Sequence, residues 1–221
     1  MTINSHLIFT STKKYYPMKP LFIVFDGIDG SGKGEVIVKI EKYLREKNIT
    51  VLSTYEPSDG EYSKEIRILL KNDISPKDNA NKLLEMYIKD RKEHLEKTIL
   101  PFLSKESKER RIVLCDRYYY STIAYQSAQG IDTERLIELN KDFVKPDITF
   151  ILDLPVDLAM KRISERERNV EKFEKIEFMR KVKENFLRLN NFLDDNIKII
   201  NAGSSKEEVF EKVRKEIDTL M

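Results

Sequence analysis

The chain has 221 residues, 40% of them hydrophobic and 35% charged, a composition typical of one sizeable globular domain and not of a disordered tail. With 40 basic and 38 acidic side chains its net charge is only +2, and no apolar run approaches membrane-spanning length, so neither nucleic acid nor a membrane is an expected partner. One cysteine and two histidines exclude a disulfide framework and argue against a thiolate or histidine metal centre, so we expect a cytoplasmic protein.

Residues 1–17 show no hydrophobic periodicity and are interpreted as a poorly ordered N-terminal extension, followed by a single domain over 18–221. Short apolar runs rich in β-branched and aromatic residues predict strands at 21–25, 50–54, 112–115, 148–152 and 197–200. Helical periodicity is present at 33–47, 63–71, 79–102, 134–143, 156–165, 174–191 and 206–220. This alternation predicts a three-layer α/β/α domain, with a five-stranded parallel sheet covered by helices on both faces.

A glycine-rich segment follows the first predicted strand. It runs Gly27-Ile28-Asp29-Gly30-Ser31-Gly32-Lys33, which is the pattern G-x-x-x-x-G-K, and a predicted helix follows it. The backbone N–H groups of such a P-loop bind phosphate oxygens together with the helix N-terminus, and the lysine reaches the β- and γ-phosphates. We therefore predict that residues 27–34 bind ATP; the alternative is a glycine-rich turn without a ligand.

The position after Lys33 departs from the P-loop pattern, which has Ser or Thr there as a Mg²⁺ ligand. This chain has Gly34, which offers no hydroxyl, and then Glu35, which adds a negative charge. Either other groups hold the metal, or nucleotide binding is weaker; the sequence leaves both open.

A second polar cluster follows the third predicted strand. Asp116 stands at the strand tip, where a carboxylate that holds Mg²⁺ through water belongs, and the fork of Arg117 can bridge phosphates. Without the P-loop, the same pair would read equally well as a buried ion pair.

Several motifs in order resemble the thymidylate kinase family of nucleoside monophosphate kinases, and especially its archaeal members. The run from Asp116 to Gln126 is similar to the family signature D-R-Y-x-x-S-x-x-A-Y-Q, and residues 25–33 are similar to its phosphate loop. Residues 54–57, 65–70, 84–94, 127–130 and 145–147 also resemble family segments, so the resemblance covers about residue 20 to the C-terminus.

The resemblance implies where the sugar and phosphate of dTMP bind. Asp29 would hold the 3′-hydroxyl, Arg117 the acceptor phosphate, and Tyr125 would crowd the sugar 2′ position. Glu56 would contact dTMP and orient metal-bound water. The family often has an arginine before this glutamate to reach the phosphate, and here it is Tyr55, a neutral donor.

The resemblance also implies a site for the base. Tyr87 would stack on thymine, where phenylalanine is usual, and Arg91 would bond its carbonyl edge. Tyr87 and Arg91 are four residues apart, so both project from one helix face. Thr122 and Gln126 would lie near the base. For Tyr87 and Tyr125, simple core packing is the alternative.

A run of mixed charge at 162–175 corresponds to the mobile lid of the family, whose arginines close over ATP; Arg166 and Arg168 are the candidate catalytic residues there. The alternative is a solvated, salt-bridged helix face.

The resemblance implies that ATP and dTMP give ADP and dTDP with Mg²⁺, with Lys33, Arg117 and Asp116 at the reacting phosphates, in a homodimer. Two alternatives remain. One is a kinase for another nucleoside monophosphate or a nucleoside. The other is a nucleotide-binding protein with reduced turnover because of Gly34, Glu35 and Tyr55.

Overall fold

A computed structural model describes residues 19–71, 79–104, 109–167 and 173–221, and only the backbone of residues 71, 166, 167, 173 and 174. The described chain contains one parallel sheet, which confirms the predicted architecture. Its strands are β1 (Leu21–Asp26), β2 (Thr50–Tyr55), β3 (Arg111–Asp116), β4 (Ile148–Asp153) and β5 (Ile197–Asn201). The predicted extension 1–17 lies outside the described residues.

Helices connect the strands and cover the sheet. They are α1 (Lys33–Glu46), α2 (Glu61–Lys71), α3 (Ala80–His94), α4 (Leu100–Ser104), α5 (Tyr119–Ala128), α6 (Thr133–Asn140), α7 (Val156–Glu167), α8 (Phe173–Arg188) and α9 (Lys206–Leu220). A π-helical turn, Leu95–Ile99, joins α3 to α4, and a 3₁₀ turn, Leu189–Asn191, follows α8. No helix in the described ranges is long and apolar enough to cross a membrane.

The strand order is β2-β3-β1-β4-β5, so β1 is central. The chain leaves β1 toward β2 on one side, and it leaves β3 toward β4 on the other side. Ligands of open α/β sheets bind where the connections diverge in this way, at the carboxyl ends of the strands. The topology therefore places the binding crevice at the ends of β1 and β3.

The central strand is buried along its whole length, because helices cover both faces of the sheet. Helices α1 and α9 pack together, and α5 packs against α3 and α8. In register, Phe25 lies beside Asp116 of β3 and Phe150 of β4, and the rings of Phe25 and Phe150 are 5.3 Å apart. This packing fixes the strand ends from which the loops of the crevice start.

Helix α5 has no counterpart among the predicted helices. It is buried on nearly every side, since Tyr119, Tyr120, Ile123 and Ala124 are all in the core. A helix without a polar face lacks the apolar stripe on which sequence prediction depends.

Candidate active site

The loop after β1 is built on glycines with left-handed backbone geometry. The φ angles are 134° at Gly27, 77° at Gly30 and 97° at Gly32. A Cβ on Gly30 would lie 2.6 Å from the carbonyl oxygen of Ala159, so no other residue fits. The loop can thus curl tightly before α1, whose N-terminus adds positive potential for a phosphate.

Lys33 is 7% exposed, and its ammonium turns back onto this loop. Nζ donates to the carbonyl oxygens of Gly27 at 3.1 Å and Ile28 at 3.2 Å. Burial, and then the positive charge of Arg117, lower the pKa of Lys33 to about 8. A phosphate placed in the loop would add an anionic partner for the ammonium, beyond the charges of Asp116, Asp29 and Asp26 that already act on it.

A fully buried carboxylate, Asp26 at the end of β1, connects this loop to the turn after β3. Its oxygens accept hydrogen bonds from the backbone N–H groups of Gly27, Tyr118 and Ser121, and from the Ser121 hydroxyl at 2.7 Å. Burial raises the pKa of Asp26, while the charges of Arg117 and Lys33 oppose that change. Asp26 therefore fixes the two loops relative to each other.

Arg117 follows β3 in a left-handed conformation, with φ of 71°, which is costly for a residue with a side chain. Its backbone N–H donates to Phe25, and its guanidinium donates to Ser121 at 2.7 Å and Asp29 at 2.6 Å. The strained backbone aims the guanidinium across the end of β1, where the sequence predicts the acceptor phosphate.

A cavity of about 200 Å³ opens beside these loops. All eight residues predicted to contact dTMP line it: Asp29, Glu56, Tyr87, Arg91, Arg117, Thr122, Tyr125 and Gln126. Four further lining residues had no assigned role in the sequence: Pro57, Leu70, Tyr118 and Ser121.

At one end of the cavity the guanidinium of Arg91 is 1% exposed. It donates to Glu56 and Thr122, each at 2.9 Å. The other oxygen of Glu56 lies 3.4 Å from His94 Nδ1, and His94 Nε2 lies 2.7 Å from the Thr54 hydroxyl. Glu56 is thus committed to Arg91 and His94 in this conformation.

Two tyrosines form the walls of the cavity. Tyr125 packs against Phe186 with ring centroids 6.1 Å apart, and its hydroxyl donates to Asp29 at 3.4 Å. Burial raises the pKa of Tyr87 to about 12, so its hydroxyl stays protonated at neutral pH. Burial raises the pKa of Tyr125 as well.

A second cavity, of about 220 Å³, lies on the other side of the glycine-rich loop. Gly30, Ser31, Gly32 and Glu35 line it from the loop and α1. Arg162 of α7, at the start of the predicted lid, lines it too, and donates to the Gly30 carbonyl oxygen at 3.2 Å. The segment from β5 to α9 completes the wall with Ala202, Ser204 and Lys206, which the sequence did not single out.

The residues at the strand ends fit Mg²⁺ bound mainly through phosphates and water. Among the described residues, the buried Oδ1 of Asp116 has no hydrogen-bond partner, and no cluster of three or more His, Cys, Asp or Glu side chains is present. Mg²⁺ commonly takes one or two carboxylates together with substrate phosphates and waters. Asp116, whose Oδ1 is without a hydrogen-bond partner in the described part of the chain, stays the predicted carboxylate for this role.

One residue considered in the sequence lies away from the cavity, and two predicted residues fall outside the described side chains. Tyr55 is 45% exposed and donates to Asp59 at 2.5 Å, at a different cleft from the one lined by Arg117. The side chain of Arg166 and the whole of Arg168 lie outside the described residues, so the lid role of both stays a prediction.

Comparison with known proteins places this architecture in a family. The family model for thymidylate kinase matches residues 25–213. The chain belongs to the thymidylate kinase family. It is 40% identical over 208 residues to a probable thymidylate kinase of Thermococcus kodakarensis, covering 91% of this chain and 98% of that protein. It is 39% identical over 195 residues to the probable thymidylate kinase of Pyrococcus horikoshii (87% and 93% covered), and 37% identical over 200 residues to the thymidylate kinase of Desulfotalea psychrophila (90% and 95% covered).

Within this thymidylate kinase-family site, sequence reasoning assigned no role to the buried residues behind the lining. Asp26 had a usable signal, because a carboxylate inside an otherwise apolar buried strand must be compensated. Asn140 had none, since only the fold brings the end of α6 to Arg91, and His94 had none, since its partner Glu56 comes from the segment after β2.

Substitution of Gly34 tests whether the missing hydroxyl after Lys33 weakens Mg²⁺ binding. A Cβ at Gly34 would meet nothing within 4 Å, and its φ is not left-handed, so Gly34→Thr fits without rebuilding the loop. We expect the added hydroxyl to lower the Mg²⁺ concentration for half-maximal activity about threefold to tenfold, as one ligand is gained. Mg²⁺ titration of both proteins measures this shift, with Gly34→Ala as the control without a hydroxyl. A uniform loss of activity at every Mg²⁺ level would contradict it.

Lys33 predicts proton uptake on nucleotide binding. Near pH 8 about half of the Lys33 side chains are neutral in the free protein, and a bound phosphate anion raises their pKa again. Binding of MgATP at pH 8 should therefore take up about half a proton, and binding at pH 6.5 almost none from this group. Calorimetry in buffers of different ionisation enthalpy measures it. Lys33→Arg, which stays charged, should abolish the uptake; uptake unchanged in that variant would assign it to another group.

Proposed function

We propose that this protein transfers the γ-phosphoryl group of ATP to dTMP, giving ADP and dTDP. One observation carries the proposal: a single cavity joins a phosphate-directed guanidinium, Arg117, to a buried base-directed guanidinium, Arg91, and it opens at the glycine-rich loop. A nucleoside monophosphate has its phosphate and its base at two ends in this way.

The phosphate end of the cavity orients the acceptor. Arg117 would bind the phosphate, and Asp29, held by Arg117 and Tyr125, would accept from the 3′-hydroxyl. The Arg117 charge, with that of Lys33, outweighs burial and keeps the pKa of Asp29 below its usual range, so Asp29 is an anion at neutral pH. The acceptor phosphate is itself an anion, so the reaction needs no strong base.

The donor would lie in the second cavity, with its phosphates in the glycine-rich loop. Lys33 would leave the carbonyl oxygens of Gly27 and Ile28 for the β- and γ-phosphates, where its charge stabilises the transferring group. Mg²⁺ bound near Asp116 would neutralise charge on the phosphate oxygens. Together these groups hold donor and acceptor in line, which is the main source of catalysis in phosphoryl transfer.

The base end of the cavity favours a base with both a carbonyl oxygen and an N–H group on one edge. Arg91 and the Thr122 hydroxyl are donors there. Gln126 donates to Gln129 at 3.1 Å, and its buried Oε1 has no partner among the described residues, so it can accept from a base N–H. Thymine offers both groups to these partners.

Three further features belong to the same proposal. The segment 162–175 closes over ATP as a lid, with Arg166 and Arg168 as its candidate catalytic arginines. The protein acts as a homodimer, and it acts in the cytoplasm. Family resemblance supports these features; sedimentation velocity tests the dimer, and kcat of Arg166→Ala and Arg168→Ala tests the lid.

The deciding experiment is ADP release from ATP with each of dTMP, dUMP, dCMP, dGMP, dAMP and thymidine as acceptor. We expect the highest kcat/KM with dTMP. Preference for another acceptor would favour the alternative kinase. ATP binding without ADP release for any acceptor would instead favour a protein with reduced turnover.

Tyr125 predicts discrimination against ribonucleotides. If its ring occupies the space of a 2′-hydroxyl, Tyr125→Ala should raise the activity ratio of UMP to dUMP about tenfold, because a steric clash is removed. The matched control is Tyr125→Phe, which keeps the ring, loses the hydrogen bond to Asp29 and should leave the ratio unchanged. If the activity ratio of UMP to dUMP is unchanged in Tyr125→Ala, the prediction is wrong and Tyr125 has only a packing role.

A further inference from the structure

The buried guanidinium of Arg91 is held by three side chains from three different parts of the fold. Glu56 comes from the segment after β2, Thr122 from α5 and Asn140 from the last residue of α6. Glu56 and Thr122 line the cavity beside Arg91, and Asn140 lies behind the guanidinium, outside that lining. Asn140 therefore reaches this cavity only through Arg91.

We propose that Asn140 is a positioning residue for base recognition: it orients Arg91 so that one N–H group is directed at a carbonyl oxygen of the nucleobase. The inference rests on the proposed function, in which Arg91 meets the base. It adds a residue that touches no substrate.

The donors of Arg91 can be counted. Nε donates to Glu56, Nη2 lies 2.9 Å from both Glu56 and Thr122, and Nη1 donates to Asn140 at 2.6 Å. A guanidinium has five N–H groups, so within the described chain one hydrogen on Nη1 is left for a ligand. Asn140 and the ligand would share Nη1, and the position of Asn140 then sets the direction of the remaining N–H.

The amide of Asn140 is itself fixed. It is 3% exposed, and its Nδ2 donates to the carbonyl oxygen of Leu136, one turn earlier in α6, at 2.7 Å. This bond leaves Oδ1 as the atom that faces Arg91. A neutral amide leaves the charge of the Arg91–Glu56 pair unchanged, so its contribution is geometric.

The rings of Tyr118 and Phe143 limit the alternatives for Arg91. The guanidinium carbon lies 5.2 Å and 5.4 Å from the two ring centroids. Glu56 and Thr122 hold the Nε and Nη2 side of the group, and the hydrogen bond to Asn140 is the one that holds Nη1. Loss of this bond should weaken base recognition and leave phosphate and ATP binding intact.

The test measures dissociation constants of dTMP, of 2-deoxyribose 5-phosphate, which lacks a base, and of ATP. For Asn140→Leu we expect the dissociation constant of dTMP to rise about tenfold, because one hydrogen bond to a charged group is lost. The constants of 2-deoxyribose 5-phosphate and ATP should stay within about twofold of the parent.

A matched control is Asn185→Leu. Asn185 on α8 donates to the backbone carbonyl of Ala124 at 2.9 Å and is not one of the three side chains that hold Arg91, so its loss should leave the ratio of the dTMP and abasic constants unchanged. If Asn140→Leu fails to fold, Asn140→Ser replaces it, since the serine hydroxyl is too short to reach Nη1. An equal change for dTMP and the abasic ligand, or no change for either, would show a merely structural role and overturn the inference.

Parent measurements with dCMP, dGMP and dAMP separate this inference from the proposed function. If dCMP or dGMP binds best, the proposed function fails. The dissociation constants of that nucleotide and of the abasic ligand are then compared between Asn140→Leu and the parent. Because cytosine and guanine also have a carbonyl oxygen, a loss of affinity that depends on the base still supports the inference. If dAMP binds best, both fail, because adenine has no carbonyl oxygen.

Discussion

The buried carboxylate of Asp26 is the interaction on which the site depends. A carboxylate taken out of water is costly unless hydrogen bonds and cations compensate it. Three backbone N–H groups and the Ser121 hydroxyl do so, and Arg117 stands 3.7 Å away. These partners come from the segments after both β1 and β3. The hydrogen bonds that compensate the charge of Asp26 therefore also fix the glycine-rich loop relative to the cavity lined by Arg117. The left-handed strain at Arg117 is held by the same contacts.

The two ends of the crevice differ in how the charges of their buried side chains are balanced. Around the glycine-rich loop, Lys33 and Arg117 repel each other, and this repulsion, after burial, lowers the pKa of Lys33. Phosphates would relieve the repulsion there. At the far end, the charge of Arg91 is already balanced by Glu56 at 2.9 Å, so that end suits a neutral base. The cavity is thus polarised for a ligand with an anionic head and an uncharged, hydrogen-bonding end.

Much of this could be predicted from the sequence because it is local. Buried strands gave apolar runs, the glycine-rich loop follows a strand directly, and the eight candidate dTMP contacts come from motifs that resemble a family; all eight line one cavity. Helix α5 was not predicted, because a helix that is buried on nearly every side has no apolar stripe and therefore no helical periodicity of hydrophobic residues. The contact between Arg91 and Asn140 was not predicted either. The two residues are 49 positions apart, and the sequence around Asn140 does not indicate that it contacts a buried arginine.

The three departures at the predicted phosphate and metal contacts differ in weight once their surroundings are known. The charge of Glu35 is met by Lys206 at 2.7 Å, so it adds little net negative potential at the loop. Tyr55 donates to Asp59, so it does not replace the arginine that the family often has at this position, and Arg117 is the arginine that lines the phosphate end of the cavity. Gly34 removes the hydroxyl that a P-loop offers to Mg²⁺, although a Cβ at this position would meet nothing within 4 Å. Weaker metal binding at Gly34 and a missing phosphate contact at Tyr55 are therefore two separate predicted effects on activity. Asp116, whose Oδ1 has no hydrogen-bond partner among the described residues, is the carboxylate predicted to hold the metal.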